Sequence, residues 1–528
     1  MTKRFLTSCC CLLFALLLCQ PSTSWAADKE AHSEQKQSKE DADKEKKADD
    51  KEDGIQPKRS ITEGVITIDG KEIKYSAVAG KMIQQDDHGD QKAEIFFIAY
   101  TKGGLDEEGN PEADARRPIT YCFNGGPGSS SVWLHLGMLG PQRVRLPDDA
   151  SYPQPPFSTI DNPYSLLDTT DLVFIDPVGT GYSRPAKDEK RDQFHGLEED
   201  LRSVGRFIHD YTTEFRRWES PKFVLGESYG GLRAGGLSEL LQDRYRMYLN
   251  GVVLVSAVLD FATLRFADNN DLPYVLFLPG YTATAWRHKA LDDELLAKPL
   301  AEVVAEAEAF AFGPYADALL RGFAMSEADR RAVAEQMARL TGLSVDYVEG
   351  AHLRVKMWQF SKELLRDRGQ IVGRFDSRYV GPGKDNISDS MDYDPSGAAF
   401  EGIFSGAMNA YLRGPLDYED DRVYEIIASV YPWSYKPFEN SYVTTAERLA
   451  GAMTMNPHLR VFAACGHYDL ATPATAMKHT RDHALMRGEL HDRFRMEFYE
   501  GGHMMYVHEP SLMKLRKDLL EFYQEATP

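Results

Sequence analysis

The hydrophobic residues of this chain form two kinds of pattern. Short, nearly continuous apolar runs bounded by Gly, Pro, Asn or Asp alternate with longer amphipathic stretches before residue 260 and again after residue 455. Such runs are typical of buried parallel strands, and their alternation with helical stretches predicts a doubly wound, mostly parallel α/β sheet. We predict strands at 65–68, 72–78, 93–101, 118–123, 172–175, 223–225, 252–255, 460–464 and 494–499, and helices at 193–218, 232–249 and 511–526. Asp69-Gly70, between the first two strands, predicts a tight hairpin.

Between residues 261 and 455 the strand pattern stops. One set of apolar residues follows a 4-3-4-3 spacing that places its members on one helix face: Leu296, Leu300, Val303, Ala307 and Phe310. Ser326 and Asp329 resemble a capping box at the start of another helix, which Gly342 would end. We therefore predict a mainly helical insertion over 261–455, placed as a cap over the C-terminal edge of the sheet, where α/β folds bind ligands.

The first 26 residues have the pattern of a secretory signal peptide. Two basic residues precede an apolar core at 10–18, and small residues follow at Ser24 and Ala26. Cleavage after Ala26 or Ala27 predicts an exported protein, periplasmic or secreted, and the core is too short for an integral membrane span. Lipid attachment at Cys19 is the less favoured alternative, because Leu18 occupies a position where a small residue is expected.

Residues 27–60 consist almost entirely of Lys, Glu, Asp, Gln and Ala. Such a segment cannot bury a core, so we predict a disordered linker. A helix is the alternative, since Glu and Lys favour helices, but the segment has no apolar face to pack. The two remaining parts of the sheet pattern, 61–260 and 456–528, would form one domain around the insertion.

Composition narrows the choice of chemistry. With 81 acidic and 61 basic residues the formal charge is −20, so we expect no nucleic-acid partner. After loss of the leader only Cys122 and Cys465 remain, and we predict that both stay unpaired. No metal-binding or phosphate-loop motif occurs, and we expect neither a metal nor a cofactor.

A Gly-x-Ser-x-Gly motif lies at a predicted strand-to-helix turn. Gly226-Glu227-Ser228-Tyr229-Gly230 follows an apolar strand and precedes a helix. This is the context of a nucleophile elbow, in which a sharp turn lifts the serine hydroxyl above the sheet. The motif predicts Ser228 as a nucleophile. The alternative is an ordinary glycine-rich loop.

A base and an orienting acid follow in fitting places. His503 comes directly after the last predicted strand and is preceded by two glycines, and Asp469 lies just past the strand before it. The chain order Ser, Asp, His is that of the α/β-hydrolases. We predict His503 as the general base and Asp469 as its orienter. His467, His479 and His508 are weaker candidates for the base.

An oxyanion hole requires backbone N–H groups close to the nucleophile. The loop Gly125-Gly126 follows a predicted strand and can bring such groups near a substrate. The N–H of Tyr229, directly after the nucleophile, would be the second donor. Phosphate binding is the rival interpretation of this loop, but no Lys follows it.

Together these segments resemble the serine carboxypeptidases. The resemblance is carried by five motifs in the family's order: 124–130 (NGGPGSS), 162–165 (NPYS), 176–183 (DPVGTGYS), 226–231 (GESYGG) and 502–504 (GHM). It implies a catalytic triad of Ser228, His503 and Asp469 and an oxyanion hole formed by Gly126 and Tyr229. It also implies that Asn124, Gly125 and Glu227 hold the carboxylate at the C-terminus of a peptide substrate. We expect Glu227 to act in its protonated form, because desolvation and the like charge of the substrate carboxylate both raise its pKa.

The chain departs from the family at several positions. Cys122 and Met138 replace a usual Trp and a second Glu of the carboxylate site, and Met505-Tyr506 replaces a Val-Pro pair after the His. The resemblance therefore implies an exported, divergent, bacterial-type serine carboxypeptidase that acts on peptides through an acyl-enzyme. An esterase or acyltransferase with the same triad is the alternative. A binding protein with an inactive hydrolase fold is a further one.

Overall fold

The computed structural model describes residues 58–485 and 487–527, so the predicted signal peptide and nearly all of the predicted linker lie outside it. Its strands are β1 Arg59–Ile68, β2 Lys71–Gln85, β3 Gln91–Lys102, β4 Ile119–Phe123, β5 Gln142–Val144, β6 Thr159–Asp161, β7 Asp171–Ile175, β8 Arg184–Pro185, β9 Lys222–Glu227, β10 Gly251–Val255, β11 Gln370–Val372, β12 Val380–Pro382, β13 Arg460–Gly466 and β14 Phe494–Tyr499. Every strand predicted from the apolar runs is present.

The α-helices are α1 Val132–Leu134, α2 Leu197–Glu214, α3 Gly230–Tyr245, α4 Leu272–Arg287, α5 Asp293–Leu296, α6 Leu300–Phe310, α7 Ala316–Arg321, α8 Glu327–Thr341, α9 Val345–Gly350, α10 Met357–Glu363, α11 Pro395–Arg413, α12 Ala446–Met455, α13 Ala474–Ala484, α14 Gly488–His491 and α15 Glu509–Ala526. Two π-helical segments are His135–Leu139 and Ala311–Tyr315. Single 3₁₀ turns lie at Arg191–Gln193, Phe261–Thr263, Gly322–Ala324, Arg366–Arg368, Lys436–Phe438 and Met505–Val507. Among the described helices, none combines the length and the apolar character that crossing a bilayer requires.

One large sheet organises the fold, in the order β1-β2-β3-β7-β4-β9-β10-β13-β14. From β7 to β14 neighbouring strands pair in parallel, and β1, β2 and β3 add an antiparallel edge. Strands β4, β7, β9 and β10 are buried along their whole length, as their continuous apolar runs require. The predicted doubly wound, mostly parallel sheet is confirmed.

The first hairpin has the predicted turn but starts earlier than expected. Ile68 pairs with Lys71 across the turn, and Asp69 and Gly70 adopt φ values of 49° and 75°. Strand β1 begins at Arg59, inside the predicted linker. Its first residues alternate between exposed and half-buried positions, so no apolar run indicates them.

Helices cover both faces of the sheet, and the insertion has a core of its own. One face packs with α15 and α11, and the other packs with α2, α3 and α12. The insertion buries a separate cluster from α4, α6 and α8. Helix α12 lies inside the range predicted as cap, yet its Leu449 and Met453 share the core of the sheet.

The helices end at residues whose backbone conformation or side chain stops the helix, and the apolar pattern does not indicate these residues. Helix α3 ends at Tyr245, four residues before the predicted end, because Arg246 adopts a left-handed conformation. Pro299 separates Leu296 from α6, so Leu296 belongs to the short helix α5 rather than to the predicted face. The predicted ends of α8 are confirmed: Ser326 Oγ accepts from the Asp329 N–H, and Gly342 is left-handed.

Cys122 and Cys465, the cysteines within the described residues, are free and buried, as predicted. Cys122 lies in β4 and Cys465 in β13, and β9 and β10 stand between these strands. At about 4.8 Å per strand step this separation exceeds the reach of a disulfide.

Candidate active site

Ser228 lies at a tight turn between β9 and α3. It is half-buried and has a φ of 61°, a left-handed value that a non-glycine residue adopts only under strain. Its N–H donates to Val255 O at 3.0 Å, which ties the turn to the neighbouring strand β10. A Cβ at Gly226 would lie 2.1 Å from Gly230 O, so strand β9 and the start of helix α3 can approach this closely only because position 226 has no side chain. The motif is therefore a strained elbow rather than an ordinary loop.

Asp469 and His503 are brought together by neighbouring strands. Strands β13 and β14 pair in parallel, and the loops that leave their carboxyl ends place Asp469 Oδ2 2.8 Å from His503 Nδ1. Both side chains are buried. The other carboxylate oxygen of Asp469 accepts from the N–H groups of Ala471 and Thr472 at 2.7 and 2.9 Å, so the acid is fixed in orientation.

The electrostatics of this pair favour a charged histidine. Burial lowers the pKa of His503, but the Asp469 carboxylate, with a smaller contribution from Glu227, outweighs this effect, and the pKa of His503 is raised. A proton on Nδ1 shared with Asp469 leaves Nε2 as the acceptor of a nucleophile's proton. Ser228 and His503 line the same cavity.

The weaker histidine candidates lie elsewhere. The ring of His467 stacks on Phe498, and it lines a different cavity, which Asp469 also lines. The ring of His479 stacks on that of His483, and His508 Nδ1 lies 2.8 Å from Ser511 Oγ. Of these residues and His503, only His503 borders the cavity that Ser228 lines.

The predicted oxyanion loop abuts the elbow. A Cβ on Gly125 would lie 2.4 Å from Tyr229 N and 2.7 Å from Glu227 O, so only glycine permits this approach. Gly126 has a φ of 102°, in the region that favours glycine. The loop that carries Gly126 and the backbone of Tyr229 are thus brought side by side, which is the arrangement that two oxyanion donors need.

A buried arginine that the sequence analysis missed holds this loop. Arg233 donates from Nη1 to Asn124 O, and its Nε donates to Asp200 Oδ2 at 2.7 Å. Burial raises the pKa of Asp200, and Arg233 opposes this effect. Arg233 lies five residues after the nucleophile, and no sequence signal distinguished it from an ordinary helix residue.

Glu227 lies beside the nucleophile, buried in the wall of the cavity. Burial raises its pKa to about 7, although the charge of His503 and hydrogen bonds from Tyr506 and Asn124 lower it. Tyr506 Oη donates to Glu227 Oε2 at 2.7 Å. Tyr506 was recognised in the sequence as a departure from the family, but no role was predicted for it.

The cavity itself measures about 170 Å³. Predicted site residues on its wall are Asn124, Gly125, Gly126, Glu227, Ser228 and His503, and its apolar wall is formed by Trp133, Phe375, Phe400, Ile427 and Met504. Phe375 and Phe400 come from the insertion, as does the exposed Glu401. The insertion therefore contributes part of the wall of the cavity that Ser228 lines.

The sheet and the residues at its carboxyl edge define an α/β-hydrolase in which a serine, a histidine and an aspartate converge. Residues 84–306, fewer than half of the chain, match the serine carboxypeptidase family model, and the family resemblance predicted from the motifs is confirmed. The chain is thus a relative of the serine carboxypeptidases.

Two curated relatives illustrate the extent of this similarity. Pheromone-processing carboxypeptidase KEX1 of Saccharomyces cerevisiae is 35% identical over 153 residues, which cover 28% of this chain and 19% of KEX1. Serine carboxypeptidase-like 20 of Arabidopsis thaliana is 31% identical over 130 residues, which cover 24% of this chain and 24% of that protein. The chain therefore spans about a fifth to a quarter of the length of these relatives.

Solved structures resemble the chain at low similarity. The peroxisomal α/β-hydrolase Lpx1 of Saccharomyces cerevisiae aligns with 89% of this chain and 90% of its own, at 10% identity and a TM-score of 0.32. A soluble variant of the monoglyceride lipase of the same yeast aligns with 85% of this chain and 95% of its own, at 9% identity and a TM-score of 0.35. The assignment of the fold rests on the strand order and the family match.

Proposed function

We propose that this protein is a serine-type carboxypeptidase that releases residues from the C-termini of peptides through an acyl-enzyme. The observation that carries the proposal is the buried Asp469–His503 pair, at 2.8 Å, whose histidine lines the same cavity as Ser228. The family match over residues 84–306 supports the peptidase class.

The first half of the reaction would acylate Ser228. Its Oγ attacks the carbonyl carbon of the last peptide bond while His503 Nε2 takes the hydroxyl proton. The carbonyl oxygen becomes an oxyanion, which the N–H groups of Gly126 and Tyr229 would stabilise. The C–N bond then breaks as His503 returns the proton to the leaving amino group.

The second half would release the shortened peptide. A water molecule gives a proton to His503 and attacks the acyl carbon, and the same oxyanion donors serve again. Collapse of this intermediate breaks the ester bond and returns the proton to Ser228 Oγ. Asp469 keeps its charge throughout and stabilises the imidazolium that forms in each half.

Selection of a free C-terminus would come from the buried carboxyl group of Glu227. In its protonated form it can donate a hydrogen bond to the terminal carboxylate of the substrate, with Asn124 and Gly125 as neutral neighbours in the cavity wall. The raised pKa of Glu227, about 7, supports a protonated group in acid and near neutrality.

An esterase or acyltransferase is the second candidate. Met138 is buried in the π-helical segment where the family's carboxylate site would have its second Glu. A site with one carboxyl group fewer has a weaker requirement for a free C-terminus. An ester substrate could then acylate Ser228, and the acyl-enzyme could pass its acyl group to water or to another acceptor.

Labelling with a fluorophosphonate tests the nucleophile. We expect the probe to modify Ser228 in the wild-type protein and Ser228→Ala to lose both labelling and turnover while remaining folded, because the hydroxyl contributes to chemistry and little to packing. Ser326→Ala is the matched control, since this serine caps α8 in the insertion, and it should label normally. An unlabelled wild-type protein would support the inactive binding fold, and activity retained in Ser228→Ala would identify another nucleophile.

The substrate class is tested with one peptide in two forms. A free-acid peptide should be shortened from its C-terminus, and its C-terminal amide should react far more slowly. Equal cleavage of both forms, or hydrolysis of esters only, would favour the second candidate.

We also propose that the protein is exported, because residues 1–26 have the pattern of a secretory leader. N-terminal sequencing of the protein recovered from outside the cytoplasm should begin at Ala27 or Asp28. Recovery of the uncleaved chain from the cytoplasm would contradict this proposal.

A further inference from the structure

A hairpin of the insertion contacts the loops that carry both Asp469 and His503. Strands β11 and β12 pair antiparallel, and Gly373–Tyr379 joins them; we name this segment the cap hairpin tip. The Gly373 N–H donates to Tyr379 O at 2.9 Å and the Tyr379 N–H donates to Asp376 O at 3.1 Å, so the tip is a folded turn.

The tip forms backbone bonds to each catalytic loop. In the aspartate loop, Ser377 N donates to Tyr468 O at 2.9 Å and Leu470 N donates to Arg374 O at 3.0 Å, so both neighbours of Asp469 are held. In the histidine loop, the N–H of His503 itself donates to Phe375 O at 2.5 Å. The rings of Phe375 and His503 lie 5.2 Å apart.

The side chain of Asp376 adds a hydrogen bond to the histidine loop, beside the backbone hydrogen bonds of the tip. Asp376 is fully buried, and its Oδ2 accepts from the Gly502 N–H at 3.2 Å, directly before His503. Its carboxylate is fixed by Arg378, whose Nη2 donates to Oδ2 at 2.6 Å and whose Nε donates to Oδ1 at 3.0 Å. A buried charge with this many partners has a defined orientation.

The histidine loop is also shaped to receive the tip. A Cβ on Gly502 would lie 2.4 Å from Phe375 O and 2.5 Å from Asp376 Cα, so position 502 needs glycine because the tip occupies that space. On its other side the tip is anchored by Ser396, whose Oγ accepts from the N–H groups of Phe375 and Asp376 at 3.1 Å each.

We propose that Asp376 is a positioning residue, which holds the Gly502–His503 segment so that the imidazole of His503 stays against Asp469. The insertion is then part of the catalytic apparatus as well as the roof of the cavity. This inference rests on the proposed function, because it assigns Asp376 a role in the same triad. Asp376 acts through the Gly502 N–H and does not itself border the cavity.

The main experiment compares Asp376→Ala with Asp376→Asn. Both variants lose the charged partner of Arg378, so both lower the melting temperature. Asn can keep an oxygen in the place of Oδ2 and so retains the acceptor for the Gly502 N–H, whereas Ala removes it. A displacement of about 1 Å at a catalytic group can cost about 10²-fold in rate. We therefore expect kcat per active site to fall by up to about 10²-fold in the Ala variant and by much less in the Asn variant, with KM unchanged in both.

Three readouts separate positioning from a loss of folded protein. Fluorophosphonate titration counts competent sites, so kcat is expressed per labelled Ser228. The acid limb of the pH profile of kcat/KM should move to lower pH in Asp376→Ala, because a histidine held less closely to Asp469 loses the charge that raises its pKa. A purely structural role would reduce the number of labelled sites and leave both kcat per site and the acid limb in place.

A second variant keeps the inference testable if Asp376→Ala does not fold. Ser396→Ala removes the acceptor of the Phe375 and Asp376 N–H groups and should lower kcat per site in the same direction, to a smaller extent. Ser326→Ala, which removes a helix cap elsewhere in the insertion, is the control for lost stability and should leave kcat per site unchanged.

The possible failures are distinguishable. A wild-type protein whose Ser228 is not labelled overturns the proposed function itself. A labelled wild-type protein, with wild-type kcat per site and an unmoved acid limb in Asp376→Ala and in Ser396→Ala, overturns the positioning role alone.

Discussion

At the scale of single residues, the orientation of Asp469 is set by more than its histidine. Its Oδ1 accepts two backbone N–H groups, from Ala471 and Thr472, while Oδ2 faces His503. The hydroxyl of Thr472 lies 2.8 Å from Oδ2 and 2.7 Å from Ser256 O. These bonds make the two oxygens of the carboxylate inequivalent. They therefore determine which way the amide group of an asparagine at position 469 would be oriented.

Asp469→Asn should therefore lower kcat severely. The amide oxygen would accept from the two backbone N–H groups, so its NH₂ group would face His503 Nδ1 and favour the tautomer with its proton on Nε2. That tautomer cannot take a proton from Ser228, and the loss in the serine-protease precedent is about 10⁴-fold. Steady-state kinetics per labelled site measures this loss. Asp482→Asn on α13 is the control, and a rate near wild type in Asp469→Asn would show that another carboxylate orients the base.

Glu227 predicts a pH dependence for substrate binding. Its pKa is raised to about 7, chiefly by burial, so the group is neutral below that pH and charged above it. A charged Glu227 repels the terminal carboxylate of a peptide and offers it no proton. The KM for free-acid peptides should accordingly rise as pH increases through about 7, whereas the KM for amide-capped or ester substrates should show no such rise.

Two variants identify the titrating group in the same measurement. Glu227→Gln keeps an N–H donor without a titration and should flatten the KM profile. Tyr506→Phe removes a hydrogen bond that stabilises the ionised form, so the pKa of Glu227 should increase and the rise in KM should move to higher pH. A flat profile in the wild type, or a rise that Glu227→Gln leaves in place, would remove Glu227 from carboxylate binding.

At the scale of elements, the sequence predicted the parts whose signal is local. Buried strands are readable because a strand covered on both faces needs a continuous apolar run, as in β4 and β10. The end of α3 was placed four residues late because it depends on a left-handed Arg246, a residue type that usually continues a helix. The prediction for edge strand β1 was too short, because the exposed and half-buried residues at its start form no apolar run.

The residues of the candidate site also fall into those with a local sequence signal and those without one. Ser228, Asp469 and His503 follow strands at short range, so motif and chain order together were enough to propose them as candidates. Tyr506, Arg233 and Asp376 act through contacts with segments far away in the chain, and no spacing in the sequence encodes those contacts. The departure at Tyr506 was visible, but its partner Glu227 is 279 positions earlier.

At the scale of the whole molecule, the site is assembled from two parts of the chain that the insertion separates. Ser228 comes from the part before the insertion, and Asp469 and His503 come from the part after it. Helix α15 joins these parts: Arg516 donates to Asp69 in the first hairpin turn and to Asp168, at 2.8 Å each. Phe522 of the same helix packs against Phe223 of β9 and Phe462 of β13.

This arrangement predicts that the C-terminal helix determines stability without taking part in the chemistry. Phe522 is only 1% exposed, whereas Met513 on the same helix is 54% exposed. Truncation of a buried phenylalanine costs about 3–5 kcal/mol, because the apolar contacts are lost and a cavity remains. Phe522→Ala should therefore lower the midpoint of denaturant unfolding, and Met513→Ala should change the free energy of unfolding by less than about 0.5 kcal/mol.

The same two variants should differ little in catalysis at a temperature where both are folded. Phe522 does not border the active-site cavity, so kcat and KM per labelled Ser228 should equal the wild-type values in both. A drop in kcat per site in Phe522→Ala, with full labelling and no change in unfolding, would show that α15 sets the geometry of the triad directly. An unfolding midpoint equal to that of Met513→Ala would show that the two parts of the sheet are held together without this helix.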